Sequence, residues 1–210
     1  MTAMVTDLDA AYLKVATFFD LWSRTIELQV RERAAREADL STKRILVISP
    51  PTDRGIQLLG KANRDGTTSL LCFSDSAAEI AERYVKAHDV ENVKILVEPF
   101  FRVPDTDGAL DAVFANCFFD FLGPTDIAPC VAEIGRVLRP DGSLFAAYMD
   151  YPTRRLGRFW DHALARLPRL SQGCHPVDIR PVLASSGFQV GADASTTRLG
   201  FPLKYVAARA

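Results

Sequence analysis

Asp75 is the residue best suited by type and position to hold a ligand. It follows the apolar run Ser69 to Phe73 inside Ser74-Asp75-Ser76. An acid at the carboxyl end of a buried strand offers two oxygens to two vicinal hydroxyls, as on a ribose. The same acid suits the cap of a helix over Ala77 to His88, with Ser74 or Ser76 as the alternative cap. A second candidate stretch is Arg44 to Ala62, RILVISPPTDRGIQLLGKA. Ile45 to Ile48 form a continuous apolar run of the kind covered on both faces in a parallel sheet, and Ser49-Pro50-Pro51 stops it. Thr52 or Asp53 then caps a helix that turns Ile56, Leu58, Leu59 and Ala62 inward, while Gly55 lets backbone or ligand approach closely. A strand feeding a helix in this way is a common place for a phosphate or nucleotide.

The elements that must position these residues alternate along the chain. Val93 to Val97 reads as a third strand, Asp111 to Ala115 as a fourth and Ser143 to Met149 as a fifth. A helix over Thr125 to Leu138 is capped through Thr125 or Asp126 and carries Ile127, Val131, Ile134, Val137 and Leu138 inward; Pro140-Asp141-Gly142 turns out of it. The pattern predicts an α/β fold, a doubly wound, Rossmann-like and mostly parallel sheet with ligands at the strands' carboxyl ends. Four loops are thereby selected: Ser49 to Gly55, Ser74 to Ser76, Glu98 to Phe101 and Asn116 to Asp120. Beyond them come a helix over Pro176 to Ser186, a strand opening at Gly187 to Gly191 and a last strand over Arg198 to Arg209. So short a link excludes a parallel crossover, so the last pair is antiparallel at one edge of the sheet, giving an antiparallel C-terminal edge strand. Residues 8 to 40 form helices outside the sheet: Tyr12, Val15, Phe18, Phe19, Trp22, Ile26 and Val30 make an apolar stripe, with Arg24, Glu27, Arg31, Glu32 and Arg33 between. Such a stripe is core packing, or the wall of a pocket if the segment folds over the sheet's edge.

With 210 residues, 48% apolar, the chain builds one substantial core and is read as a single domain over 1–210, with an N-terminal helical cap over 1–40 and an insert over 152–172. Its net charge of −1 provides no field for nucleic acid. Cys72, Cys117, Cys130 and Cys174 have no paired C-x-x-C spacing and read as reduced thiols, with no metal site. No signal peptide or run of about 20 apolar residues is visible, which points to a cytoplasmic protein.

Four segments carry a family likeness: Asp111-Ala-Val-Phe-Ala, Glu133-Ile-Gly-Arg-Val-Leu-Arg-Pro-Asp-Gly-Ser-Leu, the stretch from His175 to Phe188, and Gly200-Phe-Pro-Leu-Lys-Tyr-Val-Ala-Ala-Arg. They resemble the class I S-adenosylmethionine-dependent methyltransferases, most closely the small quinone and phospholipid enzymes, whose N-terminal helices carry a pattern similar to Phe19-Asp20-Leu21-Trp22. The resemblance spans nearly the whole chain and implies S-adenosylmethionine laid across the four loops. Its methionine part would meet Ile48, Ser49, Pro50, Thr52, Asp53 and Gly55, where the family has a glycine-rich motif and this chain has Pro51 and Asp53. The ribose would meet Asp75, with Ser74 and Ser76 beside it; the adenine would meet Glu98, Pro99 and Phe100; and Asn116, Cys117 and Phe118 would lie beneath the sulfonium. Asp53 would face the cofactor's carboxylate, or instead its ammonium, and Asp53→Gly is expected to keep or improve affinity.

The implied reaction is methyl transfer to a small hydrophobic acceptor such as a quinone, polyketide or lipid. Alignment supplies much of that rate, and a base is needed only where the acceptor must lose a proton. Candidates are His175, read as starting the late helix, and Tyr148, Asp150 and Tyr151 after the fifth strand. A methyltransferase-like protein that has lost methyl transfer, and serves as a cyclase, partner subunit or ligand-binding module, is the alternative. A homodimer is compatible with either. The insert PTRRLGRFWDHALARLPRLSQ sets five arginines against one acid, with Leu156, Phe159, Trp160, Ala163, Leu164 and Leu167 at helical spacing. It reads as an amphipathic lid, solvated or in peripheral contact with an anionic membrane.

Overall fold

A computed structural model describes residues 2–98, 101–152, 160, 162, 166 and 173–210. Most of the insert, together with Pro99 and Phe100, lies outside the described residues.

The chain opens with helix α1 (Thr2–Trp22), a π-helical turn (Ser23–Glu27) and α2 (Leu28–Ala38). There follow β1 (Arg44–Ile48), α3 (Arg54–Ala62), β2 (Thr67–Cys72), α4 (Asp75–Ala87), β3 (Val93–Val97), β4 (Leu110–Asn116), a 3-10 turn (Phe119–Phe121), α5 (Pro124–Val137) and β5 (Leu138–Met149). A short helix α6 (Arg180–Ser185) and the hairpin β6 (Gln189–Arg198) and β7 (Phe201–Arg209) complete it. One seven-stranded sheet runs in the order β3-β2-β1-β4-β5-β7-β6. All pairings are parallel except those of β7, which is antiparallel to both β5 and β6.

The four central residues of β1 are fully buried, and their alternation sorts the two faces of the core. Ile45 and Val47 pack with residues of α2, α3 and α4, while Leu46 and Ile48 pack with residues of α5 and α6. Strand order reverses between β1 and β4, so the loops after these two strands diverge to opposite faces and leave a crevice at their carboxyl ends.

Local corrections have local causes. Helix α5 has no side-chain cap from Thr125 or Asp126; it starts from Gly123 with Pro124 in its first turn, where a missing N–H costs nothing. Pro140-Asp141-Gly142 lies within the span of β5 instead of preceding it, with Asp141 at φ 65. Helix α6 begins at Arg180, not near Pro176, and the Asp178 carboxylate accepts from the Arg180 backbone N–H at 3.1 Å.

Candidate functional site at the carboxyl ends of β1 and β4

Asp53 caps α3. Its Oδ1 accepts from the Gly55 N–H at 2.7 Å, fixing the loop after β1 although that loop holds two prolines. The carboxylate is wholly buried and faces Arg31 of α2, whose Nε donates to Oδ1 at 3.2 Å. Arg31 Nη2, which also lies beside Asp53 Oδ2, donates to Glu27 in the π-turn. Glu27 in turn accepts from Trp22 Nε1 at 2.9 Å and from the Cys117 thiol at 3.0 Å. Burial alone would disfavour the Arg31 cation, but Asp53 and Glu27 outweigh it and raise its pKa. Burial holds the Asp53 carboxyl above its ordinary value although Arg31 and the Gly55 N–H pull it back, while the Arg31 guanidinium keeps its proton.

Helix α1 covers this network. Tyr12 is buried between Phe73 and Phe121, and its hydroxyl donates to the Cys117 carbonyl at 2.7 Å. Cys117 turns at φ 48, a left-handed conformation costly for a residue with a Cβ and typical of places where backbone strain serves a site. Thr52 Oγ1 donates to the Ala16 carbonyl at 2.7 Å, and Ser74 Oγ donates to Asp9 at 2.9 Å while capping α4.

On the β4 side, Asp120 is buried in the 3-10 turn. Its Oδ2 accepts from the Met149 N–H at 3.2 Å and weakly from the Cys174 thiol at 3.6 Å, and its carbonyl takes the His175 N–H. Burial, reinforced by Glu27, raises its pKa to about 7. Among the described residues, Arg31 Nη1, Asp53 Oδ2, Asn116 Nδ2 and Asp120 Oδ1 are sealed from solvent with no hydrogen-bond partner, although Asp53 Oδ2 lies 3.2 Å from Arg31 Nη2 as an ion pair. A Cβ built on Gly55 would meet Asn116, Arg31 and Asp53 within 3.3 Å, so three of these side chains converge on one backbone position that only glycine leaves clear.

The structure brings Ile48, Ser49, Pro50, Thr52, Asp53, Gly55, Asn116, Cys117 and Phe118 together around this closed network, and all but Thr52 are buried. Ser74, Asp75 and Ser76 stand at the neighbouring start of α4, with Asp75 and Ser76 exposed and Ser74, not Asp75, as the cap. Glu98 follows β3, its N–H bonded to the Cys72 carbonyl. Of the base candidates, Tyr148 is fully buried and Asp150 accepts from Ser195 Oγ at 2.6 Å, whereas Tyr151 is 59% exposed. His175 lies in a turn held to Asp120 and does not start a helix, since α6 begins five residues later.

Glu27, Arg31 and Asp120 do not stand out as site residues in the sequence. Glu27 and Arg31 look like solvated charges between apolar residues, yet they are 1% and 2% exposed. The signal was their spacing: Glu27, Arg31, Ala34 and Ala38 share one helical face, so an ionic pair lies in an inward stripe. Asp53→Gly, expected to keep or improve affinity, instead removes a helix cap and a buried countercharge.

Residues 52–146 match the family model of a methyltransferase domain. The whole chain superposes on a SAM-dependent methyltransferase from Aquifex aeolicus with a TM-score of 0.65 at 16% identity, covering 98% of that chain. The chain has the class I methyltransferase fold. The magnesium protoporphyrin IX methyltransferase ChlM from Synechocystis PCC 6803, solved with bound SAH, shares it at TM-score 0.67 and 10% identity (86% of this chain, 80% of that one). The [4+2]-cyclase SpnF shares it at 0.65 and 15% (85% and 80%). No curated protein matches the chain in sequence. In this class I methyltransferase fold, the described residues contain no three-residue cluster able to hold a metal ion and no helix long and apolar enough to cross a membrane.

Proposed function

We propose that the protein is an S-adenosylmethionine-dependent methyltransferase acting on a small hydrophobic acceptor. The observation that carries this reading is a set of four buried polar atoms at the carboxyl ends of β1 and β4, three without any partner and the fourth, Asp53 Oδ2, held only by the Arg31 ion pair. An α-amino acid end carries one carboxylate and one ammonium. Arg31 Nη1 and Asn116 Nδ2 are donors suited to the carboxylate, and Asp53 Oδ2 and Asp120 Oδ1 are acceptors suited to the ammonium. The donor set therefore fits the cofactor's methionine end, although Tyr12 and α1 close the space over it. Asp75, exposed beside the β2 end, would take the ribose hydroxyls, and Glu98 the adenine.

When bound, the cofactor supplies a methyl group on a sulfonium, already activated for displacement. The chain's part is to orient the two partners and keep water out, which the aromatic cover of Tyr12, Phe73, Phe118 and Phe121 is built to do. A proton released by the acceptor would pass to an oxygen at the β4 and β5 ends, where Asp120 and Asp150 stand. The close packing of Arg31, Asp53 and Asn116 around Gly55 also favours the second reading: a methyltransferase fold whose own side chains fill the cofactor place, kept as a cyclase, partner subunit or ligand-binding module.

Calorimetry with S-adenosylmethionine separates the two, micromolar binding supporting methyl transfer and absence of binding supporting the second reading. With binding established, Asp75→Ala is expected to weaken it by about 1–3 kcal/mol through loss of a charge-assisted hydrogen bond; unchanged affinity would move the ribose contact elsewhere. The arginine-rich sequence 152–172 supports a cytoplasmic protein in reversible contact with anionic membrane, each arginine near the surface contributing about 1 kcal/mol. Cosedimentation with phosphatidylserine vesicles is expected at low salt and lost in Arg154→Glu/Arg155→Glu; an unaffected variant would dismiss membrane contact through this segment.

A further inference from the structure

We infer that α1 is a latched cover, hinged at the π-turn Ser23–Glu27, whose release from the strand ends admits the cofactor. The inference rests on the methyltransferase reading for the identity of what is admitted, but not for the existence of the latch.

The cover buries Leu8, Tyr12, Val15 and Phe19 and is fixed in register by side-chain hydrogen bonds at four places along its length. Asp9 takes the Ser74 hydroxyl after β2, Tyr12 gives its own to the Cys117 carbonyl after β4, Ala16 takes the Thr52 hydroxyl after β1, and Asp20 takes the Tyr84 hydroxyl of α4 at 2.6 Å. These points follow one another at three- or four-residue steps, so one face of the helix touches the loops after β1, β2 and β4 and the side of α4. None is a backbone ladder bond to the sheet. Three of these bonds are part-buried and the Tyr12 one is buried, but once the helix has swung away both partners of each can bond water instead, so the net loss per bond is small.

The end of α1 is built differently. Ser23 Oγ accepts the Arg54 N–H at 3.0 Å, and Glu27 is locked by Trp22, Arg31 and Cys117. A π-turn is a widened segment frequent at functional sites, and here it separates a helix pinned by hydroxyls from one fixed by a buried ion pair. Bending at this turn frees Tyr12 while α2 keeps Arg31 and Asp53 together. Because these four atoms are sealed from solvent in the closed protein, a ligand cannot meet them until the cover has moved.

Hydrogen exchange and ligand kinetics test this on the full chain. A helix released from the sheet is marginal in water and frays, so in the free protein amides of 8–22 are expected to exchange by an opening separate from that of the sheet, and Tyr12→Phe, which removes one hydroxyl and little packing volume, to speed them about fivefold with β1 and β4 unchanged. Thr52→Val is expected to act in the same direction. Trp22 fluorescence on mixing with S-adenosylhomocysteine is expected to change at a rate that levels off with ligand, the plateau rising about fivefold in Tyr12→Phe. Exchange of 8–22 only together with the sheet, in wild type and both variants, would overturn the latch. A binding rate linear in ligand and equal in Tyr12→Phe would overturn its role in admission. Faster exchange without any binding would support the latch and reject the cofactor reading alone.

Discussion

Arg31→Met is expected to lose about 3–5 kcal/mol of stability. The guanidinium is 2% exposed and sits between Glu27 and Asp53, themselves 1% and 0% exposed. Removing it leaves two carboxylates in an apolar interior without a countercharge, and that uncompensated burial is the costly event, more than any attraction lost. The Gly55 N–H needs an acceptor at Asp53 and not a charge, so protonation of Asp53 weakens the cap of α3 without abolishing it. Urea unfolding at neutral pH measures the loss. The triple change Glu27→Gln, Arg31→Met, Asp53→Asn is expected to recover much of it, because no charge then remains unpaired and Asn still caps. A loss below about 1 kcal/mol in Arg31→Met would mean that water reaches the two acids.

The sheet was legible because its signal is repetitive. The continuous apolar run of β1, the alternation with helices and the short link before the last strand each constrain topology, and together they pointed to a mostly parallel, doubly wound sheet with an antiparallel last pair. The loops were legible by the same rule, since ligands gather where strand order reverses. The site's interior was not, because its decisive contacts join distant parts of the chain. Arg31 and Asp53 are 22 residues apart, Tyr12 and Cys117 are 105, and Glu27 and Cys117 are 90. From sequence, Asp53 in a glycine-rich position reads as an obstacle to the cofactor. The partner that changes its meaning lies in a helix whose charges read as solvent-facing. Asp120 was passed over for a related reason: an acid in an aromatic loop, Phe118-Phe119-Asp120-Phe121, gives no periodicity to say which way it points.

Asp120→Asn is expected to stabilise the protein in a pH-dependent way. In the folded chain the carboxyl titrates at about 7, against an ordinary value of 3.8. At pH below 4 both folded and unfolded chains hold the proton and the residue costs nothing. As the pH rises the unfolded chain releases its proton first, so stability falls progressively until the folded carboxyl ionises near 7, where the full penalty is reached. The gap corresponds to a penalty on the order of 4 kcal/mol, an upper bound because neighbours relax. The groups facing it are Glu27, Cys117, Cys174 and Tyr12, none of them a cation. Asn keeps an acceptor for the Met149 N–H without the charge. Urea unfolding of both proteins should therefore show a small difference at pH 5 and a gain of several kcal/mol for the variant at pH 8. An equal difference at both values would mean that the carboxyl ionises normally and that its free oxygen reaches water. The same experiment with S-adenosylmethionine extends the argument to function. An ammonium placed on Asp120 Oδ1 would favour the ionised form, so the ligand should flatten the wild-type pH dependence and stabilise the wild type more at pH 8 than it does Asp120→Asn.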